Sequence, residues 1–183
     1  MPLRVIGGEL GGRVLRGPPR SGVRPTADRV REALFEILSS RSAEMGRVLD
    51  LYSGTGAMGI EALSRGAEFC DFVESDAKAC EVIRENLRRT DLGGRSKLWP
   101  VAVARTLDRL EQGYDLVVAD PPYEYDRAEA ELAAVIEKGL VVEGGTVVIE
   151  HSQRKEWPVM MAGLTQLTSR RYGDTRITLY GKT

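Results

Sequence analysis

An aspartate, two prolines and a tyrosine, Asp120-Pro121-Pro122-Tyr123, follow directly on the apolar run Tyr114-Asp115-Leu116-Val117-Val118-Ala119. Delivered at the end of a buried strand, these four residues suit a grip on a planar amine such as a nucleobase. The carboxylate of Asp120 and the carbonyl of Pro121 can accept its N–H protons, while the ring of Tyr123 stacks on its face. Prolines fix φ and carry no N–H, so the loop keeps one shape and turns carbonyls toward a ligand. An Asp-Pro pair after a strand is also an ordinary turn. A second motif is needed to separate the two readings.

That motif begins at Arg47-Val48-Leu49-Asp50-Leu51-Tyr52, a short buried strand leading into Ser53-Gly54-Thr55-Gly56-Ala57-Met58-Gly59 and then a helix. Its glycines permit a tight turn and close approach of a ligand, and the helix start offers unpaired N–H groups. Glu74 stands twenty positions beyond Gly54, after Phe69-Cys70-Asp71-Phe72-Val73, where a carboxylate can accept both hydroxyls of a ribose. Gly54-x-Gly56-x-x-Gly59 also spells the dinucleotide fingerprint, so a nicotinamide-dependent dehydrogenase is one reading. Two features oppose it. Asp50 would repel a pyrophosphate but welcome an ammonium or sulfonium, and Asp-Pro-Pro-Tyr has no role in hydride transfer. S-adenosylmethionine, with ammonium, sulfonium, carboxylate and ribose together, matches the whole set better.

These motifs need neighbouring strands. In a doubly wound sheet of order 3-2-1-4-5, Glu74, Asp50 and Asp120 end strands 2, 1 and 4, with Glu74 roughly 10 Å from Asp120 at about 4.8 Å per strand. One ligand then spans all three.

The chain resembles the class I, Rossmann-like methyltransferases that methylate the exocyclic N2 of a guanine in 16S ribosomal RNA. The resemblance rests on Arg24-Pro25-Thr26-Ala27-Asp28-Arg29-Val30-Arg31-Glu32-Ala33-Leu34-Phe35, on Asp50 to Gly56, on Phe72 to Asp76, on Asp120 to Tyr123, and on Tyr172-Gly173-Asp174-Thr175. Asp-Pro-Pro-Tyr is shared with DNA amino methyltransferases, and the two terminal signatures narrow the choice. The resemblance implies an α/β fold with a seven-stranded, mostly parallel sheet of order 3-2-1-4-5-7-6 and helices on both faces. It implies that Asp120, Pro121, Pro122 and Tyr123 act on the base. Asp50, Tyr52, Ser53, Gly54, Gly56, Glu74, Ser75 and Thr26 would hold S-adenosylmethionine, which leaves as S-adenosylhomocysteine. Thr26, Asp28 and Arg29 resemble the segment that closes over its methionine end. The expected substrate is 16S rRNA in a partly assembled small subunit. A DNA or RNA adenine-N6 methyltransferase and a non-catalytic RNA-binding assembly factor remain alternatives. Many relatives of this fold carry an acidic residue after strand 3 to accept the adenine amine. Trp99-Pro100-Val101-Ala102-Val103-Ala104 has none, so backbone and apolar contact must serve.

A chain of 183 residues and 20.1 kDa leaves no room for a separate target-recognition domain. Its net charge is −1, but unevenly spread: residues 1–31 carry +5, residues 151–183 carry +4, and the segment between them −10. Basic ends flanking an acidic middle fit a localised phosphate-binding face, with Arg4, Arg13, Arg16, Arg20, Arg24 and Arg29 as contacts. Scattered arginines also serve solubility. No signal peptide and no membrane-length apolar run are present, so a cytoplasmic protein is expected. Cys70 and Cys80 fit neither a disulfide nor a metal site by number or spacing, and no metal is expected. His151, the only histidine, has no serine or acid arranged for a triad and is read as structural.

The elements follow the same plan. Leu3–Ile6 and Val14–Leu15 read as a hairpin, and Thr26 as the cap of a helix bearing Val30, Ala33, Leu34, Ile37 and Leu38 on one face. Helix-strand alternation continues through a helix at 75–89, a strand at 97–101, a helix at 127–138 and a strand from Thr146. Leu164–Arg171 and Arg176–Tyr180 read as a closing hairpin. The expected division is a 1–40 hairpin-and-helix extension, packed on the core and contacting RNA, and a 41–183 methyltransferase domain.

Overall fold

The computed structural model describes residues 2–18, 25–111 and 113–182, with backbone alone at 25 and 26. An eight-stranded sheet is built from β1 (Arg47–Leu51), β2 (Phe69–Val73), β3 (Ser96–Trp99), β4 (Tyr114–Ala119), β5 (Val141–Ser152), β6 (Met160–Met161), β7 (Leu164–Tyr172) and β8 (Thr175–Gly181). Their order is β3-β2-β1-β4-β5-β8-β7-β6, with β3 to β5 parallel and the last three antiparallel. The class agrees with expectation, but the strand count is eight and not seven. The extra strand, β6, is two residues long. It folds back onto β7 through Ala162 and Gly163, whose φ values of 46° and 86° build the tight turn that strand twist favours.

Side-chain alternation explains why the central strands are apolar throughout. Val48, Leu116, Val118 and Val148 face α1 (Pro25–Ser40), α2 (Ala57–Ser64) and α3 (Ala77–Thr90). Their neighbours Leu49, Val117, Ala119, Val147 and Ile149 face α5 (Ala128–Glu137) and Trp157. Strands buried on both faces need apolar residues at every position, which is the run seen in the sequence. A four-residue helix, α4 (Val103–Thr106), precedes β4 and was not expected. Helix α1 begins at Pro25, so Thr26 lies within the first turn and does not cap it. The N-terminal hairpin is reduced to a single antiparallel bridge, Arg4 to Val14. Its place on the sheet is fixed instead by Glu61 of α2, fully buried, which accepts the N–H groups of Ile6 and Gly7 at 2.8 Å each.

Candidate active site

One row of residues runs in register across the sheet: Trp99, Val73, Leu51, Ala119 and Ile149. One position further along stand Glu74, Tyr52, Asp120 and Glu150. Parallel register thus brings four polar side chains to adjacent strand tips. The gap between β1 and β4, from which the chain winds outward in both directions, is where such sheets bind ligands. A cavity of about 960 Å³ opens there. Asp50, Tyr52, Ser53, Gly54, Glu74 and Ser75 line it on one side, and Asp120, Pro121, Pro122 and Tyr123 on the other. The three carboxylates expected to share a cavity do so.

Their environments differ. Glu74 accepts the N–H of Gly54 at Oε2 and that of Asp76 at Oε1, both at 2.8 Å, so its two oxygens are oriented with lone pairs to spare. Asp50 is only 2 % exposed, and its Oδ2 accepts the Gly59 N–H at 2.9 Å. Since Gly56 has no side chain to cap α2, Asp50 supplies the cap from the preceding strand. Part of the hydrogen-bonding capacity of Asp50, read from the sequence as a partner for a cation, is spent on the helix. Burial pushes the Asp50 carboxyl well above the usual range.

Asp120 faces the open cavity with an accessible surface, while protein packed around its carboxyl disfavours the charge and pushes it up to about 7. Among the described residues no hydrogen bond or ion pair engages that carboxylate. The Pro122 carbonyl is occupied by the Tyr125 N–H at 2.9 Å, whereas the Pro121 carbonyl accepts nothing from the described residues. Tyr123 is 47 % exposed, and its hydroxyl meets Thr175 Oγ1 at 2.6 Å. The ring is fixed at one end and open on its face. Val101, Ala102 and Val103 form an apolar wall beyond Glu74.

A family model described as "Conserved hypothetical protein 95" matches residues 3–181. The chain belongs to this family. Over 183 residues it is 34 % identical to a Bacillus subtilis protein named "Putative rRNA methyltransferase YlbH", covering 98 % of this chain and 99 % of that protein. It is 29 % identical over 178 residues to the Escherichia coli protein "Ribosomal RNA small subunit methyltransferase D", covering 97 % and 89 %. A solved structure described as "Putative methyltransferase yhhF from Escherichia coli" superposes with a TM-score of 0.86 at 28 % identity, covering 100 % and 98 %. The fold is that of the α/β methyltransferases.

Not every residue singled out in this family member reaches the cavity. Gly56, at φ 77°, is not among the residues lining the cavity, and a Cβ there would meet Phe72, Ile83 and Ile60. Ser53 lines the cavity but spends its hydroxyl on the carbonyls of Asp50 (2.6 Å) and Val73 (3.2 Å). Arg20, Arg24 and the side chain of Thr26 lie outside the described residues. Asp28 pairs with Arg31 at 3.1 Å. Arg13, Arg16 and Arg29 are exposed, but Arg4 is half-buried. His151 is buried: its Nδ1 donates to the Ser152 carbonyl at 2.9 Å, so Nε2 accepts from Thr178 Oγ1 at 2.8 Å. Burial lowers its affinity for a second proton, in keeping with a structural role. Cys70 and Cys80 are buried free thiols.

Three supporting residues escaped the sequence reading. Glu131 of α5 accepts the hydroxyls of Tyr52 (2.5 Å) and Tyr125 (2.8 Å), whose rings meet edge to face at 5.7 Å. This fixes Tyr52 at φ 55°, a left-handed backbone that costs about 1–3 kcal/mol unless its surroundings enforce it. Asn86 of α3 donates to the Thr55 carbonyl at 2.9 Å and binds both backbone groups of Arg16, tying the glycine loop to the N-terminal segment. A signal for both was present. Glu131 shares a stripe with Ala128 and Val135, and Asn86 shares one with Ile83 and Thr90, so each is a polar group at a buried helical position. The third residue, Glu150, stands beside Asp120, since Ala119 and Ile149 are register partners in β4 and β5.

Proposed function

We propose that this chain transfers a methyl group from S-adenosylmethionine to the exocyclic N2 of a guanine in 16S rRNA, within a partly assembled small ribosomal subunit. One observation carries the reading: Glu74, Asp120, Pro121 and Tyr123 line a single cavity at the point where strand order reverses. The names of the relatives support ribosomal RNA as the substrate. Guanine N2 follows from the resemblance of the terminal signatures.

The lining fits this cofactor. Glu74 retains lone pairs for ribose hydroxyls, and Val101, Ala102 and Val103 offer an apolar wall to the adenine. Gly54 presents open space where a Cβ would project. Asp50, Tyr52, Ser53 and Ser75 complete that side, and Thr26 is assigned to the methionine end. When bound, S-adenosylmethionine supplies an electrophilic methyl group and departs as S-adenosylhomocysteine.

The chain's own residues prepare the amine. Its lone pair is delocalised into the purine ring, which makes it a poor nucleophile. Asp120 and the Pro121 carbonyl accept its two N–H protons and favour a pyramidal nitrogen, with Pro122 holding the loop's shape. Tyr123 stacks on the base, which must leave its own stack to enter. Asp120, with a carboxyl near neutrality, is suited to take the proton that the nitrogen releases after transfer. Residues 1–40 are assigned as an RNA-contacting extension on the methyltransferase domain of 41–183, with Arg4, Arg13, Arg16, Arg20, Arg24 and Arg29 meeting phosphates. Such a substrate locates the protein in the cytoplasm.

The test uses labelled cofactor and undermethylated small subunits. Wild-type protein is expected to yield N2-methylguanosine by nucleoside mass spectrometry. Asp120→Ala should bind the cofactor almost normally by calorimetry while transfer collapses. N6-methyladenosine as the product, or equal loss of binding and transfer, overturns the assignment.

A further inference from the structure

We propose that Glu150 accepts the N1–H of the target guanine beside Asp120 and thereby selects guanine over adenine. This deepens the methyl-transfer reading and rests on it.

Glu150 ends the inner part of β5 directly beside Asp120, because Ala119 and Ile149 are register partners in the two parallel strands. Adjacent strands lie about 4.8 Å apart, so the two carboxylates reach neighbouring atoms of one planar ligand. Both line the main cavity, and both border a smaller recess floored by Leu34, Met58 and Ile177. Among the described residues neither carboxylate receives a hydrogen bond or forms an ion pair. Arg31 is the cation that faces Glu150, from α1. Its guanidinium is bound to the Arg4 carbonyl at 2.7 Å and to Asp28 at 3.1 Å, with Glu61 at 3.6 Å. Across the strand on the other side, the register partner of Glu150 is the apolar Ile177. Asp120 is exposed to the cavity and Glu150 half-buried, so a ligand entering there displaces water from both and can supply a donor to each.

Guanine carries two such donors on one edge, N1–H and the exocyclic N2 amine. With N2 held by Asp120 and Pro121, N1–H turns toward the adjacent acceptor. Adenine presents an amine next to a bare N1 lone pair, and that lone pair would oppose a carboxylate. A site built around a donor rejects analogues lacking it more strongly than any apolar pocket can reject a change of size. In the free protein, burial and the charge of Asp120 push Glu150 up to about 8, with Arg31 pulling the other way. Asp50, from β1, borders the same recess. A base that supplies two donors favours the ionised pair, so guanine entry should release a proton.

2-Aminopurine keeps the exocyclic amine but replaces N1–H with a lone pair, which isolates this contact. The experiment compares small subunits reconstituted with guanine or 2-aminopurine at the target position. Wild-type protein should methylate guanine at least about tenfold faster, the lower bound expected for one lost buried hydrogen bond. Glu150→Gln, whose amide oxygen still accepts from guanine N1–H and whose amide nitrogen can donate to the bare N1, should gain on 2-aminopurine and narrow the ratio, while Glu150→Ala should lose at least about tenfold on guanine. Equal rates on both bases with wild-type protein overturn the proposal without any variant. So does an unchanged ratio in both Glu150→Gln and Glu150→Ala. If wild-type protein transfers no methyl group to guanine, the methyl-transfer reading fails first and this one with it.

Discussion

Two groups of carboxylates in this molecule are treated in opposite ways: one is buried and the other opens on a cavity. Glu61 in α2 and Asp71 in β2 are fully supplied. Glu61 accepts two backbone N–H groups and the Arg65 guanidinium at 2.8 Å. Asp71 accepts from Trp99 Nε1 at 2.8 Å and the Tyr114 hydroxyl at 2.7 Å, with Arg47 at 3.4 Å. Asp120 and Glu150, at the tips of β4 and β5, have none of these and face a cavity. Satisfied acceptors hold the fold, and vacant ones await a ligand. The cost of vacancy appears as carboxyls pushed toward neutrality, which is how a site stores the capacity to bind donors and move a proton.

The strongest way to break the contrast is to exchange one residue from each group. Asp120→Asn should reduce methyl transfer about 10²- to 10⁴-fold, the range for loss of a positioned proton acceptor, with little effect on folding. Glu61→Ala should do the reverse. It deprives the Arg65 guanidinium and two backbone N–H groups of their acceptor, and breaking a buried pair of this kind costs about 3–5 kcal/mol, read from urea unfolding. Should Asp120→Asn unfold the protein and Glu61→Ala leave it stable, the division between the two groups is wrong.

A pH series sharpens the same contrast. Asp120 has its carboxyl raised from 3.8 to about 7, and Glu150 from 4.5 to about 8. Between the unfolded and folded values the native state holds protons that the unfolded chain has lost, so stability falls as pH rises from about 4 to about 8. Asp120→Asn or Glu150→Gln should flatten that fall in unfolding midpoints compared at pH 5 and pH 8. Methyl transfer should run the other way, rising through about pH 7 as Asp120 ionises. A rate independent of pH across this window would remove Asp120 as the proton acceptor.

The two groups were not equally legible in the sequence. Asp120 announces itself, as Glu74 does, because it follows an apolar strand at the distance a motif requires, whereas its neighbour Glu150 closes an apolar run with no motif around it. Glu61 carries no such mark, since its partners Ile6 and Gly7 lie more than fifty residues away and meet it only in the fold. Strand periodicity found β1, β2, β4, β7 and β8 to within a residue or so. It missed β6, because Met160–Met161 is too short to show a period. It began β5 at Thr146, because Gly144 and Gly145 interrupt an apolar run that continues from Val141. Asp50 illustrates the deeper limit. Its position at a strand end was readable, but the turn of its carboxylate toward Gly59 depends on where α2 begins.

Helix α2 also supplies an intermediate test. Gly59 lies against the sheet so closely that a Cβ would meet Phe72 at 2.4 Å and Cys70 Sγ at 2.7 Å. Gly59→Ala should therefore cost about 1–3 kcal/mol by overpacking, measured by thermal or urea unfolding. It should also tilt the N–H that Asp50 accepts and weaken cofactor binding in calorimetry. Loss of stability without loss of binding would show that the Asp50 cap is independent of the cavity.

The smallest expected effect belongs to Tyr123, which joins both groups: its hydroxyl is satisfied by Thr175 and its ring is vacant. Tyr123→Phe removes one hydrogen bond, worth about 1 kcal/mol, and leaves the stacking face. Thr175 closes the turn between β7 and β8, so that bond ties the base-gripping loop to the antiparallel end of the sheet. The substitution should raise KM for the RNA a few-fold and leave kcat nearly unchanged, because a loosened ring still stacks once the base has entered. Tyr123→Ala removes the face as well and should lower kcat/KM much further. If Tyr123→Phe is as damaging as Tyr123→Ala, the hydroxyl acts on the substrate itself, and Thr175 holds it only until the base arrives.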